Sequence, residues 1–249
     1  MRLILTTLVL LTILPALHAQ VPSYVPTNGL VGWWPFNGNA NDESGNGNNG
    51  TVNGATLTAD RFGNVNSAYF FNGTGVHINL GPVTGFLATN PFTVAAWVNI
   101  DPSSTVAGVR PILYRGDFAE SNQLGFGTHG NNPSCGASFI MRVSNSQNPL
   151  FTTLNVQNGL WNHIVWIHEG LGEIKIYVNQ QLAGSMNVGS MVNHNFNLML
   201  GRLGNTNNQA YNGLSDDLGI WNRALTVAEI QAIYSAGQTV SSPKIRCVG

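Results

Sequence analysis

Charged residues are scarce in this sequence. Lys and Arg number 10 and Asp and Glu 11, so that only 8% of the 249 residues are charged and the formal net charge is −1. Nucleic-acid binding needs clustered cations that neutralise phosphates, and so few cations spread along the chain cannot form a basic patch. The composition therefore argues against a nucleic-acid partner, while Asn and Gly supply the polarity that charge does not.

Long apolar runs are also missing, except at the N-terminus. Arg2 precedes an apolar run over residues 3–14, and small residues follow it up to Ala19. The run is too short to span a bilayer and has the layout of a secretory signal peptide over residues 1–19. A retained membrane anchor is the alternative. We expect a secreted, extracellular or cell-surface protein that has no membrane contact after signal cleavage.

Cysteine occurs only twice, as Cys135 and Cys247. An exported chain permits a disulfide between them, and two free thiols are the alternative. The sequence leaves both open.

Recognisable catalytic motifs are missing as well. The chain has no Gly-x-Ser-x-Gly elbow and no His-Glu-x-x-His motif. Its only acids four residues apart on one stretch, Glu169 and Glu173, flank a Gly-Leu-Gly turn, where solvated acids are the usual case. We expect no enzyme activity. The alternative is a glycan-active hydrolase whose acids come from different strands, such as Glu120 with Asp117 or Glu169.

The sequence instead contains many short apolar runs separated by Asn, Gly, Ser and Pro, which predicts an all-β sandwich. The runs are LVGWWPF, SAYFF, GVHINL, FTVAAWVNI, RPILY, QLGFG, ASFIMRV, LFTTLNV, WNHIVWIH, EIKIYV, QLAGSMNV, NLMLG and LSDDLGIW. In FTVAAWVNI every second residue from Val94 to Ile100 is apolar and shares one face. Asn179-Gln180 predicts a tight hairpin between EIKIYV and QLAGSMNV.

One short helix is predicted near the C-terminus. Thr226 and Glu229 form a capping box. An apolar stripe follows, and Gly237 is expected to end the helix. The stripe consists of Val227, Ile230, Ile233 and Tyr234.

Five segments in this order resemble a LamG-like jellyroll domain of the concanavalin A-like lectin/glucanase superfamily. They are GLVGWWPFNGNANDESGNGNNGTV, AYFFNGTGVHINL, FTVAAWVNI, WNHIVWIHEG with EIKIYVNQQLAGS, and SDDLGIWNRALTVAEIQAIY. The resemblance covers residues 28–237 and leaves 238–249 as a polar tail. It implies a two-sheet antiparallel jellyroll sandwich with one short C-terminal helix. It also implies a secreted module for carbohydrate or extracellular protein ligands, commonly with Ca²⁺ and without shared catalytic residues.

A buried carboxylate is predicted in LSDDLGIW. Asp216 has the parity of Leu218 and Ile220, so it points inward if those two face the core. A buried carboxylate is costly unless it is paired or binds a metal.

The jellyroll implied by the resemblance brings the Asn-rich loop 37–50 close to Asp216. Asp42, Ser44 and Asn46 resemble the first half of a Ca²⁺-binding loop, although the EF-hand pattern breaks afterwards. We therefore predict a structural Ca²⁺ held by these three residues and Asp216. In the alternative, Asp42 caps a turn and Asp216 pairs with a backbone amide or an arginine, the nearest being Arg223.

The ligand-binding residues cannot be named from the sequence. Trp33 and Trp34 are neighbours on one strand and point to opposite faces, so one of them could be exposed. His163 is expected to be a core-edge histidine hydrogen-bonded to backbone. The function expected is a non-catalytic binding module for carbohydrate or protein, with a hydrolase or a structural, adhesive surface module as alternatives.

Overall fold

The computed structural model describes residues 21–103, 109–116, 123–129, 136–143, 146–189, 193, 196–203 and 210–238. The predicted signal peptide, Cys135, Cys247 and most of the predicted tail lie outside them. The domain boundaries at 28 and 237 stay a prediction. Within the described part of the chain, no helix is both long and apolar enough to cross a membrane.

The described residues form fifteen strands and one helix. The strands are β1 (Leu30–Trp34), β2 (Thr51–Asn53), β3 (Thr56–Thr58), β4 (Ala68–Asn72), β5 (His77–Asn79), β6 (Phe92–Ile100), β7 (Val109–Gly116), β8 (Gln123–His129), β9 (Gly136–Val143), β10 (Ser146–Asn155), β11 (Trp161–Gly170), β12 (Glu173–Val178), β13 (Gln181–Asn187), β14 (Leu198–Leu200) and β15 (Asn212–Trp221), and the helix is α1 (Val227–Gly237).

The strands form two antiparallel sheets, which confirms the predicted sandwich. The first runs β13-β12-β11-β6-β15-β4-β3, with β1 also paired to β15, and the second runs β10-β9-β8-β7-β14-β5-β2. Every predicted apolar run forms a strand, and the strands that the pattern missed are the three-residue, Thr-containing β2 and β3.

The hairpin between β12 and β13 is also confirmed. Asn179 and Gln180 both have positive φ, at 48° and 64°. Two consecutive residues of this kind characterise the two-residue turn whose twist matches antiparallel strands.

Two apolar cores hold the sheets and the helix together. The larger lies between the sheets and includes Val94, Ala96 and Val98 from β6. The smaller packs the outer face of the first sheet against α1 and includes Trp33, Ala95 and other residues. Alternate residues of β6 therefore face two different cores, and neither face of this strand is exposed to solvent.

Strand β15 changes partners partway along its length. Asn212–Ser215 pair with β4, whereas Leu218–Trp221 pair with β1, and β6 runs along the other side. A bulge separates Asp216 from Gly219, and Asp217 within it has a φ of 45°. Bulges re-aim side chains and interrupt pairing. Asp216 and Asp217 thus lie at the junction where one partner strand ends and the next begins.

Helix α1 begins at the predicted capping box, which is confirmed. The Glu229 amide donates to Thr226 Oγ1 at 3.3 Å, and the Thr226 amide donates to Glu229 Oε2 at 2.8 Å. Ile230 and Ile233 are buried, whereas Val227, the first residue of the helix, is 50% exposed.

Gly237 is the last residue of the helix, as predicted, but the glycine is needed there for a packing reason. Its φ is not positive, and a Cβ added there would lie 2.4 Å from Cζ2 of Trp97. The residue must be small because the last turn of α1 lies directly on the Trp97 indole.

Candidate functional site

The Asn-rich loop 37–50 is fastened to the free edge of β1. Asp42 Oδ1 accepts hydrogen bonds from the amides of Trp33 at 3.0 Å and Ser44 at 2.9 Å, and Oδ2 accepts from the amide of Asn48 at 2.9 Å. The Glu43 amide donates to Trp33 O at 2.8 Å. One carboxylate thereby organises the whole loop.

Asparagine side chains complete this attachment. Asn46 Nδ2 donates to the carbonyls of Leu30 and Val31, both at 3.0 Å, and Asn48 Nδ2 donates to Val31 O at 2.9 Å. These are carbonyls that β15, on the other side of β1, cannot satisfy. An exposed strand edge attracts further strands unless it is covered. The loop side chains therefore act as the missing neighbour strand of β1.

Asp216 and Asp217 share one arginine, Arg61, from the β3–β4 connection. Arg61 Nη1 donates to Asp216 Oδ2, Nη2 donates to Asp217 Oδ2 at 2.6 Å, and Nε donates to Gly237 O at 3.0 Å. The guanidinium lies over the Trp97 ring at 4.8 Å from its centroid. Only 6% of the Arg61 side chain is exposed, so this ion pair is buried.

Asp216 does not point into the inter-sheet core. Its partner across the ladder is Trp97, and antiparallel partners place their side chains on the same face. The bulge at Asp217 shifts the parity, so that Leu218 and Ile220 face the core while Asp216 lies on the outer face under Arg61. Arg223, the arginine nearest in sequence, pairs instead with Glu229 at 2.6 Å.

A pocket of about 280 Å³ lies in front of these acids, and we call it the Arg61 pocket. Its lining comes from four separate segments: Pro22, Tyr24, Pro35, Asn37, Glu43, Asp60, Arg61, Phe62, Asn64, Asp216 and Asp217. Burial, followed by the charges of Asp217 and Asp42, raises the pKa of Glu43. Burial, followed by the charge of Asp217, raises the pKa of Asp216 well above its usual range, and Arg61 opposes this in part.

The predicted Ca²⁺ ligands are split between two environments. Asp42, Ser44 and Asn46 hydrogen-bond within the loop and to β1. None of these three lines the Arg61 pocket, which the loop reaches through Glu43. A metal at Asp216 would have to share or displace the Arg61 guanidinium. Among the described residues, no group of three or more His, Cys, Asp or Glu is arranged to hold a metal. The contacts correspond to the alternative in which Asp42 caps a turn and Asp216 pairs with an arginine, and Ca²⁺ stays a prediction.

A ladder of rings connects the Arg61 pocket to a second cavity. On the side of Trp97 that faces α1, Tyr234 stacks with a centroid distance of 5.7 Å and an interplanar angle of 14°. His163 also contacts Trp97, at 5.2 Å. Neither ring nitrogen of His163 has a hydrogen-bond partner among the described residues, so the expected bond to backbone is wrong. Burial, and secondarily the charge of Arg61, lowers the pKa of His163 to about 3.

The second cavity, which we call the amide cleft, measures about 350 Å³. It lies where the end of β10, the start of β11, the β12–β13 turn and α1 meet. Its lining is formed by Leu154, Asn155, Asn158, Asn162, Val178, Asn179, Gln180, Gln181 and Tyr234. The lining thus combines six amide side chains with one aromatic ring and contains no charged side chain.

Part of this amide set is locked in a network. Asn162 Nδ2 donates to Asn158 Oδ1, and Asn179 Nδ2 donates to Asn162 Oδ1, both at 3.0 Å. Asn179 Oδ1 in turn accepts from the amide of His163 at 2.9 Å. The amides of the Gln180 and Gln181 side chains have no partner among the described residues, so they are available to a ligand.

The other sequence-level candidates are not found at a site. Trp33 and Trp34 are both buried, at 1% and 0% exposure, because the second core covers the outer face of β1. Glu169 and Glu173 flank the Leu171–Gly172 turn and share an ion pair with Lys175. Asp117 and Glu120 lie outside the described residues.

The sequence contained few signs of either cavity. Arg61 is an isolated arginine in a turn-rich segment, and its partners are 155 and 156 residues away. Asn179 was recognisable as a turn residue and Tyr234 as part of an apolar stripe, but no local pattern relates the two.

Comparison with known proteins gives one family match. A family model described as the concanavalin A-like lectin/glucanases superfamily matches residues 72–231. Among curated proteins, no sequence matches the chain.

Several solved structures are similar in fold. Domain 4 of AbnA, an extracellular arabinanase from Geobacillus stearothermophilus solved in complex with arabinotriose, has a TM-score of 0.66 at 21% identity, covering 82% of this chain and 98% of that one. The binding domain of Paraclostridial Mosquitocidal Protein 1 has a TM-score of 0.70 at 15% identity, covering 85% of this chain. The binding domain of botulinum neurotoxin serotype D/C has a TM-score of 0.65 at 13% identity, covering 86% of this chain. This chain spans about half of each toxin domain, 53% in both cases.

Proposed function

Since the chain belongs to the concanavalin A-like lectin/glucanases superfamily, we propose that it is a secreted, non-catalytic module that binds carbohydrate in the amide cleft. The observation that carries this proposal is the cleft lining of six amide side chains around the Tyr234 ring. The arabinotriose complex of the fold-similar arabinanase domain supports a saccharide ligand on this fold.

The chemistry of the cleft suits a sugar. A sugar ring has an apolar face that packs on an aromatic side chain, and hydroxyl groups that both donate and accept hydrogen bonds. Tyr234 provides the aromatic surface and is held in place by its stacking on Trp97. The asparagine and glutamine amides provide donors and acceptors together. The network at Asn162 fixes the orientation of the Asn158, Asn162 and Asn179 amides before a ligand arrives.

A glycan array of the mature chain, followed by titration of the best ligand, tests the proposal. Tyr234→Ala should weaken binding at least tenfold, whereas Tyr24→Ala should leave it unchanged. The second tyrosine is a matched control because it is also half-buried but lines the Arg61 pocket. Binding to no glycan, or equal loss in both variants, would contradict the proposal.

The non-catalytic part of the proposal has its own test. Among the described residues, the Arg61 pocket brings four carboxyl groups together, which makes it the place in that part of the chain to test for a pair of catalytic acids. We expect no release of reducing ends from any glycan that binds. Hydrolysis that Glu43→Gln abolishes would instead establish an enzyme.

A further inference from the structure

The ligand class can be narrowed further on the basis of charge, an inference that rests on the proposed function. We infer that the amide cleft selects neutral glycans and disfavours acidic ones, such as those carrying uronic acid, sulfate or sialic acid.

The described lining offers no cation to an acidic sugar. Its polar groups are the amides of Asn and Gln and one phenol, with Leu154 and Val178 as the apolar remainder. A carboxylate or sulfate that leaves water needs charge-assisted hydrogen bonds from Arg or Lys to replace its hydration. In this cleft it would meet uncharged donors only.

The amides also match hydroxyl groups better than anions. Each amide presents an N–H donor beside a C=O acceptor, and a hydroxyl group can satisfy both. An anion can only accept, so every amide oxygen facing it is repelled. Gln180 and Gln181, whose side chains are not engaged, therefore complement neutral sugar hydroxyls.

The Asn179 side chain and its turn have little freedom to reorganise around an anion. The Asn179 side chain is held between Asn162 and the His163 backbone, at 3.0 and 2.9 Å. Its turn is a two-residue hairpin with fixed positive φ angles. The carbonyl oxygens of Asn162 and Asn179 cannot rotate away without breaking the network.

The test is an array that carries each glycan backbone in a neutral and an acidic form, for example oligogalacturonates as methyl esters and as free acids. We expect the neutral form of the bound backbone to bind at least tenfold more tightly. Equal or tighter binding of the acidic form would overturn this inference but leave the proposed function standing. Binding of neither form of any backbone would overturn the proposed function itself.

Variants that change the charge of the protein test the same inference from the other side. Gln181→Lys places a cation at the exposed first residue of β13 and should narrow the neutral-to-acidic ratio several-fold at low salt, less so at high salt. Thr56→Lys is the matched control, since it adds the same charge on β3 at the opposite edge of the same sheet. An equal effect of both variants, or no effect of Gln181→Lys, would show that the cleft does not set the charge preference.

Discussion

Arg61 neutralises Asp216 and Asp217, two neighbouring carboxylates that would otherwise repel each other. Two buried carboxylates, a helix carbonyl and an indole all contact its guanidinium. Removing one partner of a buried ion pair leaves an uncompensated charge, which costs far more than the pair itself contributes.

We therefore expect Arg61→Met to lower the free energy of unfolding by about 3–5 kcal/mol in urea denaturation. Adding Asp216→Asn and Asp217→Asn to that variant should recover much of the loss. Arg223→Met is the matched control: it breaks a more exposed pair with Glu229 and should cost about 1 kcal/mol or less. Similar losses in the two arginine variants would contradict a buried charge cluster.

His163 should make stability depend on pH. Its pKa is about 3 in the folded state and about 6.5 when unfolded, so only the unfolded state takes up a proton between these values. Unfolding becomes easier as the pH falls from 6.5 towards 3. Besides burial, the positive charge of Arg61 lowers the pKa of His163. The rings packed on His163, Trp97 and Tyr234, are uncharged.

The measurement compares wild type with His163→Phe, which keeps a ring against Trp97. The free energy of unfolding of the variant, relative to that of wild type, should rise by about 2 kcal/mol from pH 7.5 to pH 5. Over the roughly 1.5 pH units below 6.5, proton uptake by unfolded His163 destabilises wild type, and the variant lacks this histidine. Parallel pH curves would show that His163 is not a buried neutral base.

Among the elements, the loop 37–50 covers the free edge of β1 with hydrogen bonds, as a neighbouring strand would. The predicted Ca²⁺ would stabilise this loop further. We expect EDTA to lower the melting temperature and Ca²⁺ to restore it, since an ion that binds only the folded state stabilises that state. Asp216→Asn should abolish the response, whereas Asp101→Asn, outside the Arg61 pocket, should retain it. An unchanged melting curve in metal-free buffer would leave the loop held by its own hydrogen bonds alone.

The helix offers a second prediction at this scale. Thr226→Ala removes the acceptor for the Glu229 amide and should cost about 1 kcal/mol in chemical denaturation. Thr226→Ser keeps the hydroxyl and should cost much less. A loss of equal size in both variants would mean that the methyl group matters more than the cap.

At the scale of the whole molecule, the sandwich could be predicted because alternating apolar residues and turn residues are local signals. The face assignment in β6 is correct from Val94 to Ile100, and so is the hairpin at Asn179. The Arg61 pocket and the amide cleft could not be predicted in this way. Each joins segments far apart in the chain, and a single bulge at Asp217 reverses the parity on which the placement of Asp216 depended.

The pairing of β1 with β15 has a mechanical consequence. Leu30 lies opposite Trp221 in an antiparallel ladder, so the chain enters β1 and leaves β15 at the same end of the pair. A force applied through residues 21 and 238 would open this pair like a zipper, rupturing its hydrogen bonds one after another instead of all together. Because residue 238 directly follows α1, the same force would act on the helix before it reached β15, and so it would act early on Tyr234 and the amide cleft that this residue lines.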